Sequence, residues 1–258
     1  LPEPICYLAT FFLAFENLNF VHGHIAMLDG YSVFFMLLSF WLYLRGSYAS
    51  SAIAIALSAL AKLTGALGAV AIGIHWLLLR CPNWKRFIPS MMLAPIAFFG
   101  LLPVFEFAYW GELKNPIARS IEMLELAGSI TFDAYDPGGI ASRPWEWVFT
   151  VDILPYWWTP RFLGMISSTL WVFIVPAVVY MTVRSLKGED APLFPFAWFI
   201  ALYLLWVPVS LITDRASHIF YFYPAVGAIA LVMGMIFGRL ICLSRNRQKG
   251  KLRLFLKG

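Results

Sequence analysis

Three long stretches without a formal charge constrain this chain more than any other feature. They cover residues 162–183, 192–213 and 216–238, and a fourth uncharged stretch, 87–105, is nearly as long. An α-helix needs about 20 mostly apolar residues to cross the roughly 30 Å hydrocarbon core of a bilayer. Charged residues make up only 13% of the 258 positions, against about 25% in soluble domains. The sequence therefore predicts an all-α polytopic membrane protein.

The hydrophobic content of 61% excludes a water-soluble globule, a disordered chain and a fibrous repeat. Further helices are predicted near residues 4–20, 30–45, 48–64 and 65–80, which brings the expected number of spans to about eight. The cysteines are scattered in or beside apolar segments, with neither a metal-ligand spacing nor a disulfide framework; they are Cys6, Cys81 and Cys242.

The distribution of charge predicts which loops face the cytoplasm, because Lys and Arg favour that side. If the helices alternate, one side receives the basic groups, which are Arg45, Arg80, Lys85, Arg86, Arg184, Lys187 and the basic tail. The other side receives the acid-rich loop 111–160. The net charge of +5 is then explained by cytoplasmic loops and by a tail near anionic lipid. Membrane lipids are expected partners, and nucleic acid is not.

This topology divides the chain into four parts. Residues 1–110 are expected to form the first part of the bundle with about five spans, 111–160 an outer loop, 161–243 the last spans, and 244–258 a basic cytoplasmic tail. Within the outer loop, Ile117, Ile121 and Leu124 share one face of a predicted helix, which would lie along the membrane surface. The sequence Asp-Pro-Gly-Gly at 136–139 predicts a turn.

Charged residues inside the predicted spans need a partner or a purpose, because each costs at least about 2.5 kcal/mol at membrane depth. These residues are Glu16, Asp29, Lys62 and Glu106. Lys62 follows a helix of small residues, where it would either bind a phosphate as a point charge or neutralise a nearby acid. His22, His24 and Asp29 could suggest a metal site, but His-x-His is weak evidence and no further strong ligand adjoins it. We expect no metal.

Four patches of the sequence resemble the protein O-mannosyltransferases, membrane glycosyltransferases of the GT-C class. His-Ile-Ala-Met-Leu-Asp at 24–29 is similar to the family's Arg-Ile-Ala-Leu-Leu-Asp signature. The small-residue helix ending Lys-Leu-Thr-Gly at 62–65 resembles its Lys-x-Thr-Gly. Ser-Arg-Pro-Trp-Glu-Trp at 142–147 resembles its Ser-x-Pro-Trp-x-Trp, and Phe-Tyr-Phe-Tyr-Pro-Ala at 220–225 resembles its aromatic entry to a late helix. The patches occur in the family's order and together cover most of the chain.

The resemblance implies a GT-C-type helix bundle that transfers mannose from a polyprenyl- or dolichyl-phosphate-mannose donor to Ser or Thr hydroxyls of exported proteins. Lipid-linked donor and acceptor protein would then be the partners, with no certain cofactor and no divalent cation. Cations beside outer helix ends would stabilise the departing phosphate, and aromatic side chains would stack on sugar or line the lipid groove. The candidates for these roles are His24, Asp29, Lys62, Arg143, Trp145, Trp147, Arg215, Tyr221 and Tyr223.

Two departures from the family pattern affect these expectations. His24 stands where the family usually has Arg, so a permanent cation is replaced by one that depends on pH. The family's proposed catalytic base lies in an outer loop before the signature, and no acid in residues 1–20 is placed to supply it. The base is therefore expected upstream of Leu1, and residues 1–258 alone are expected to be inactive. Because no β-trefoil domain interrupts the outer loop, a prokaryotic plasma membrane is favoured over the endoplasmic reticulum.

Other functions also fit the sequence. Within the same fold, a lipid-A aminoarabinose transferase or another polyprenyl-phosphate-sugar transferase is the near alternative. A transporter belongs to a different class, and would place ionisable groups near the midplane in inverted repeats. Here the polar groups gather near one face and no repeat is visible.

The segment 142–147 carries one further expectation. After the glycine turn it should fold back over the site, with Trp145 and Trp147 on one side of an extended strand. Such a pair fits either a sugar platform or the membrane interface. Arg143 favours the first, because a guanidinium beside the rings suits a phosphate.

Overall fold

A computed structural model describes residues 2–25, 27–132, 139–159 and 161–255. The first helices are α1 (Glu3–Ala14), α2 (Asn17–His24), α3 (Leu28–Leu44), α4 (Tyr48–Ala61), α5 (Leu67–Leu78), α6 (Trp84–Met91), α7 (Leu93–Trp110) and α8 (Pro116–Ser129). The rest are α9 (Glu146–Phe149), α10 (Ser168–Leu186), α11 (Asp190–Phe199), α12 (Trp206–Thr213) and α13 (Tyr223–Phe255). Short 3-10 turns cover Leu63–Ala66 and Ile219–Phe222, a π-helical turn covers Ile200–Leu204, and strands β1 (Leu154–Trp158) and β2 (Arg161–Gly164) form a hairpin.

Within the described residues, four helical segments are long and apolar enough to cross a membrane. They are Trp84–Trp110, Ser168–Leu186, Asp190–Thr213 and Ile219–Ser244. A fifth exists if α1 and α2, which meet at a bend of 59°, count as one broken span. The chain is thus an all-α membrane protein apart from its hairpin, and the expectation of about eight spans is wrong.

Helix length explains the discrepancy. The predicted segments near 30–45, 48–64 and 65–80 do form apolar helices, Leu28–Leu44, Tyr48–Ala61 and Leu63–Leu78, but each has only 10–17 residues. At 1.5 Å per residue the longest covers about 26 Å, less than the roughly 30 Å hydrocarbon core. The apolar composition of these segments correctly predicted helices, but it did not predict where each helix ends.

An aromatic cluster joins several helices at one end of the bundle. Tyr43, Tyr48, His75, Phe87 and Phe194 have ring centroids between 5.1 and 6.2 Å apart in contacting pairs. The Tyr43 hydroxyl lies 2.9 Å from His75 Nδ1. The ends of α3 and α5 and the beginnings of α4, α6 and α11 therefore meet, as the alternating order requires. Which end faces the cytoplasm stays a prediction.

Reciprocal serine pairs hold α3 against α4. Ser32 and Ser58 each donate a side-chain hydrogen bond to the other's carbonyl oxygen, at 3.1 and 2.7 Å. Ser39 and Ser51 do the same at 2.9 and 3.0 Å. Small polar residues let helix backbones approach closely in a membrane. Gly65 packs on the first pair, since a Cβ added there would lie 2.6 Å from Ser32 Oγ.

The helix predicted within residues 111–160 is present as α8. The Asn115 side chain caps it by accepting hydrogen bonds from the backbone N–H groups of Ile117 and Ala118. Arg119 Nε donates to Glu106 Oε1 at 2.8 Å and ties α8 to the end of α7. The Arg119 pKa is raised, chiefly by its hydrogen bond to Glu106 and then by that to Glu122. The apolar face with Ile121 and Leu124 is exposed.

Two other boundaries differ from the sequence predictions. The predicted span 162–183 begins later, at Ser168, because its first residues form β2. Helix α13 continues through Phe255, into the range assigned to the tail. Most of the predicted turn at 136–139 lies outside the described residues.

Candidate functional site

Lys62 and Asp29 form an ion pair at the end of the bundle opposite the aromatic cluster. Asp29 lies in the first turn of α3, and Lys62 follows the last residue of α4 in extended backbone. Lys62 Nζ lies 2.6 Å from Asp29 Oδ1, with side-chain exposures of 20% and 4%. The sequence left a phosphate role and an acid partner open for Lys62. The structure shows the acid partner.

Two aromatic rings cover the ammonium group of Lys62. Its Nζ lies 4.8 Å from the ring centroid of Phe220 and 4.9 Å from that of Tyr221, within the range of a cation–π interaction. Beneath the pair, a cavity of about 10 Å³ extends between Ser32, Gly65 and Pro224, at the lower limit for one water molecule.

Arg215 adds a second cation beside the same ring. Its Nη2 donates to the Tyr221 hydroxyl at 3.1 Å, and its Cζ lies 5.9 Å from that ring's centroid. Among the described residues, its Nε is buried without a hydrogen-bond partner, and no acid lies within ion-pair distance. We call Asp29, Lys62, Arg215, Phe220 and Tyr221 the Lys62 cluster. Its two cations and one carboxylate leave an excess positive charge.

A buried histidine connects this cluster to the hairpin. His22 Nδ1 lies 2.7 Å from the Leu18 carbonyl oxygen, and Nε2 lies 3.1 Å from the Tyr156 hydroxyl. Because a carbonyl only accepts, Nδ1 carries the hydrogen, and Nε2 of neutral His22 accepts from Tyr156. Burial raises the Tyr156 pKa, and the negative charge of Asp29 adds to this rise. Tyr156 therefore stays protonated and can act as the donor.

Tyr223 lies in the core and not at a sugar-accessible surface. Its ring stacks on His22 at 4.7 Å with an interplanar angle of 10°, and its hydroxyl donates to Asn19 Oδ1 at 3.0 Å. His24 lies apart from the Lys62 cluster. It is exposed, and its Nδ1 is 2.6 Å from the Phe20 carbonyl oxygen.

Arg143 is already paired within the protein. Its Nη2 lies 2.5 Å from Asp214 Oδ1, its Nη1 lies 3.3 Å from Ser210 Oγ, and its Cζ is 3.7 Å from the ring centroid of Phe132. These contacts hold the outer loop to the end of α12. A phosphate would have to compete with Asp214 for this guanidinium group.

The expected arrangement of the two tryptophans is wrong. Residues Glu146–Phe149 form the short helix α9 instead of an extended strand, so Trp145 and Trp147 do not share one face. The carboxylate of Glu146 accepts a hydrogen bond from the backbone N–H of Arg143 at 2.6 Å, which favours the helical turn. Trp147 is 0% exposed and donates to Ser142 Oγ at 2.9 Å, whereas Trp145 is half-buried.

The outer loop packs on Ser217, which lies between the cluster residues Arg215 and Phe220. The backbone N–H of Ser142 donates to the Ser217 carbonyl oxygen, and Ser217 Oγ donates to that of Ser142, both at 2.8 Å. Beside these bonds is a cavity of about 310 Å³ whose lining includes Ser142, Glu146, Thr150 and Asp152. Ser142 Oγ donates to Asp152 Oδ2. The carboxylates and hydroxyls at this cavity suit a ligand with hydroxyl groups.

Glu16 has a structural position. It is 1% exposed, and its carboxylate accepts from the backbone N–H groups of Asn19 and Ser167, both at 3.0 Å. It thus caps α2 at the bend and joins it to the start of α10. These two hydrogen bonds account for a buried acid between apolar neighbours.

The structure therefore brings Asp29, Lys62, Arg215 and Tyr221 together, out of the residues chosen from the sequence. The described residues contain no group of three His, Cys, Asp or Glu side chains placed to hold a metal ion. Comparisons with family models, curated proteins and solved structures found no match to this chain.

The site candidates chosen from the sequence omit three residues of this region, His22, Tyr156 and Phe220, although His22 was weighed as a metal ligand and Phe220 lies in the patch 220–225. His22 lies one helical turn after Leu18, and both are buried. This helical spacing could have indicated that His22 faces the core. Nothing in the sequence indicated that the hairpin would bring Tyr156 to it.

Proposed function

We propose that this protein transfers mannose from a polyprenyl- or dolichyl-phosphate-mannose donor to Ser or Thr hydroxyls of exported proteins. The observation that carries the proposal is the Lys62 cluster itself. Asp29, Lys62 and Tyr221 come from three separate patches of the family resemblance, and their side chains lie in contact. The fourth patch contains Ser142, which hydrogen-bonds to Ser217, between the cluster residues Arg215 and Phe220.

The charges of the cluster suit a lipid-linked phosphate. Lys62 alone would be a poor site, because an approaching phosphate also meets the negative charge of Asp29. Arg215 supplies the second cation, and it has no acid within ion-pair distance among the described residues. Asp29 then holds the Lys62 side chain in place, while the buried Arg215 Nε has an unused donor that a phosphate oxygen could accept from.

In the proposed reaction the acceptor hydroxyl oxygen bonds to C1 of mannose, and the bond from C1 to the phosphate oxygen breaks. The hydroxyl proton passes to a base, and the polyprenyl phosphate leaves with the bonding electrons. Lys62 and Arg215 stabilise the charge that develops on this leaving group. The family resemblance implies that this base belongs to an outer loop that precedes the signature at 24–29.

The test is transfer of radiolabelled mannose from polyprenyl-phosphate-mannose to a Ser/Thr peptide by the complete membrane protein. We expect the double variant Lys62→Met with Asp29→Asn to lose transfer, although it leaves no unpaired charge. Lys114→Met removes a lysine that is exposed in the outer loop and is the matched control. Transfer of aminoarabinose instead of mannose would assign the near alternative, and full activity in the double variant would contradict the role of the cluster.

Transport is a second candidate, and the break between α1 and α2 favours it. Discontinuous helices with buried polar groups form the substrate sites of many transporters, and here a bend of 59° adjoins the buried Glu16. Solute flux into proteoliposomes without glycosyl transfer would support this reading. A loss of flux in Glu16→Gln would then be expected.

A further inference from the structure

A charged cluster at the opposite end of the bundle remains outside the proposed function. Arg184 lies in the last turn of α10, Glu189 precedes α11, and Arg239 lies on α13. Gly188 has a φ of 78°, which lets the chain reverse so that Glu189 meets both arginines. Arg184 Nε is 3.0 Å from Glu189 Oε1, and Arg239 Nη2 is 2.7 Å from Oε2.

This cluster has more donors than acceptors. The Tyr180 ring lies 5.8 Å from Arg184 Cζ and 5.6 Å from Arg239 Cζ. Within the described part of the chain, Ser185 Oγ and Arg239 Nη1 are buried without a hydrogen-bond partner, and the buried Tyr180 hydroxyl interacts only with Arg184, which leaves its own hydrogen free to donate. Buried polar groups are nearly always satisfied in native proteins. Two arginines against one carboxylate also leave an excess positive charge, which an anion with several acceptor oxygens would match.

An apolar groove begins at the same arginine. It has a volume of about 240 Å³ and is lined by Ile5, Ala191, Met235, Gly238, Arg239 and Cys242 among others. Gly238 lets α1 approach α13 closely, since an added Cβ would lie 2.5 Å from Ile5 Cγ1. The groove runs between α13, which includes a candidate membrane span, and α1, which is part of the broken span. The apolar lining of the groove suits a hydrocarbon chain, and the arginine at its end suits an anion.

From these features we infer that the groove and the Arg184–Glu189–Arg239 cluster bind one anionic phospholipid. The phosphate accepts hydrogen bonds from Arg239 and Tyr180, and an acyl chain lies along Met235 and Gly238. Basic pockets between helices at the cytoplasmic side are known to favour anionic headgroups. The cluster lies at the end of the bundle for which the sequence predicts that side. This inference is independent of the proposed function.

Native mass spectrometry of the complete protein in uncharged detergent tests the inference. Phosphatidylglycerol, phosphatidylcholine and inorganic phosphate are added in parallel, and bound adducts and melting temperatures are measured. We expect phosphatidylglycerol to bind more tightly than phosphatidylcholine, and Arg239→Gln to bind it about five-fold more weakly than wild type. Lys187→Gln removes an exposed lysine of the same end and should bind normally.

Arg239→Gln leaves Glu189 paired with Arg184, but the variant still has to be shown to fold. Tyr180→Phe removes one hydroxyl without a change of charge, and we expect it to weaken phosphatidylglycerol binding about five-fold as well. If Arg239→Gln does not fold, phosphatidylglycerol binding by Tyr180→Phe decides whether the inference holds. Equal binding of the two lipids, or unchanged binding in Tyr180→Phe, would overturn the inference. Equal stabilisation by inorganic phosphate would show a site for free phosphate instead of lipid.

Discussion

Lys62 donates to Asp29 across 2.6 Å although 33 positions separate them in the sequence. The carboxylate side chain is 4% exposed and the lysine side chain 20% exposed, so each charge depends on the other for its stability away from water. Removing one partner of such a pair is far more costly than replacing both.

The first prediction concerns this pair. We expect Lys62→Met to lower the free energy of unfolding by about 3–5 kcal/mol, because Asp29 is left as an uncompensated buried charge. The double variant with Asp29→Asn should recover most of that loss. Denaturant unfolding in micelles measures both values. Equal losses in the single and double variants would show that the ion pair does not determine stability.

The second prediction concerns Gly65, which packs on the Ser32–Ser58 pair. An added Cβ would lie 2.6 Å from Ser32 Oγ and still closer to Ser58 Oγ. Gly65→Ala should therefore destabilise the protein by about 1–3 kcal/mol, as overpacking usually does.

Gly73→Ala is the matched control, because nothing lies within 4 Å of an added Cβ there and Gly73 is inside α5. It should stabilise the helix by about 0.5–1 kcal/mol. The melting temperatures of the two variants should move in opposite directions. A Gly65→Ala protein as stable as Gly73→Ala would mean that the α3–α4 contact is looser than described.

The pair Lys62–Asp29 also shows how far the sequence could lead. Both residues stood out because charges at membrane depth are costly, and that argument holds for any fold. Their partners in space could not be predicted, because α3 and α4 pack through serines that have no strong hydrophobic signal. The position of Tyr156 beside His22 depends on the hairpin, whose first strand lies in a run of aromatic residues that was expected to be loop.

The predicted number of membrane spans was wrong for a related reason. Hydropathy identifies apolar segments, but turns and ion pairs determine where α3, α4 and α5 end. Lys62, for example, ends α4 because it pairs with Asp29 in extended backbone. Trp147 illustrates the same limit in the outer loop. Alternation in sequence suggested an extended strand, whereas the local hydrogen bond from Arg143 to Glu146 forms a helical turn.

The third prediction separates structure from ligand binding at Arg143. Asp214 has a φ of 49°, a conformation that Asn also tolerates, so Asp214→Asn removes the charge without backbone strain. We expect Arg143→Lys and Asp214→Asn to destabilise the protein, with a coupling energy of about 1 kcal/mol in a double-mutant cycle. If Arg143 instead clamps the donor phosphate, Arg143→Lys will weaken donor binding while Asp214→Asn strengthens it. A coupling energy near zero would favour that alternative.

The last prediction compares the two tryptophans of the outer loop. Trp147 is 0% exposed, donates to Ser142 Oγ and accepts at its carbonyl from Trp171 Nε1 at 3.2 Å. Trp147→Ala should therefore lower the free energy of unfolding by about 3–5 kcal/mol, because it opens a cavity and breaks a buried hydrogen bond. Trp145 is only half-buried, so Trp145→Ala should cost much less stability.

Unfolding measurements on both variants, together with mannose transfer at a temperature where both are folded, decide between the roles. If the pair forms a sugar platform, the two variants will lose transfer equally and keep similar stability. In the structure described here only Trp145 can reach a ligand, because the indole of Trp147 is enclosed between the outer loop and α10. We therefore expect any direct loss of transfer to follow Trp145→Ala, and the loss in Trp147→Ala to scale with its unfolding.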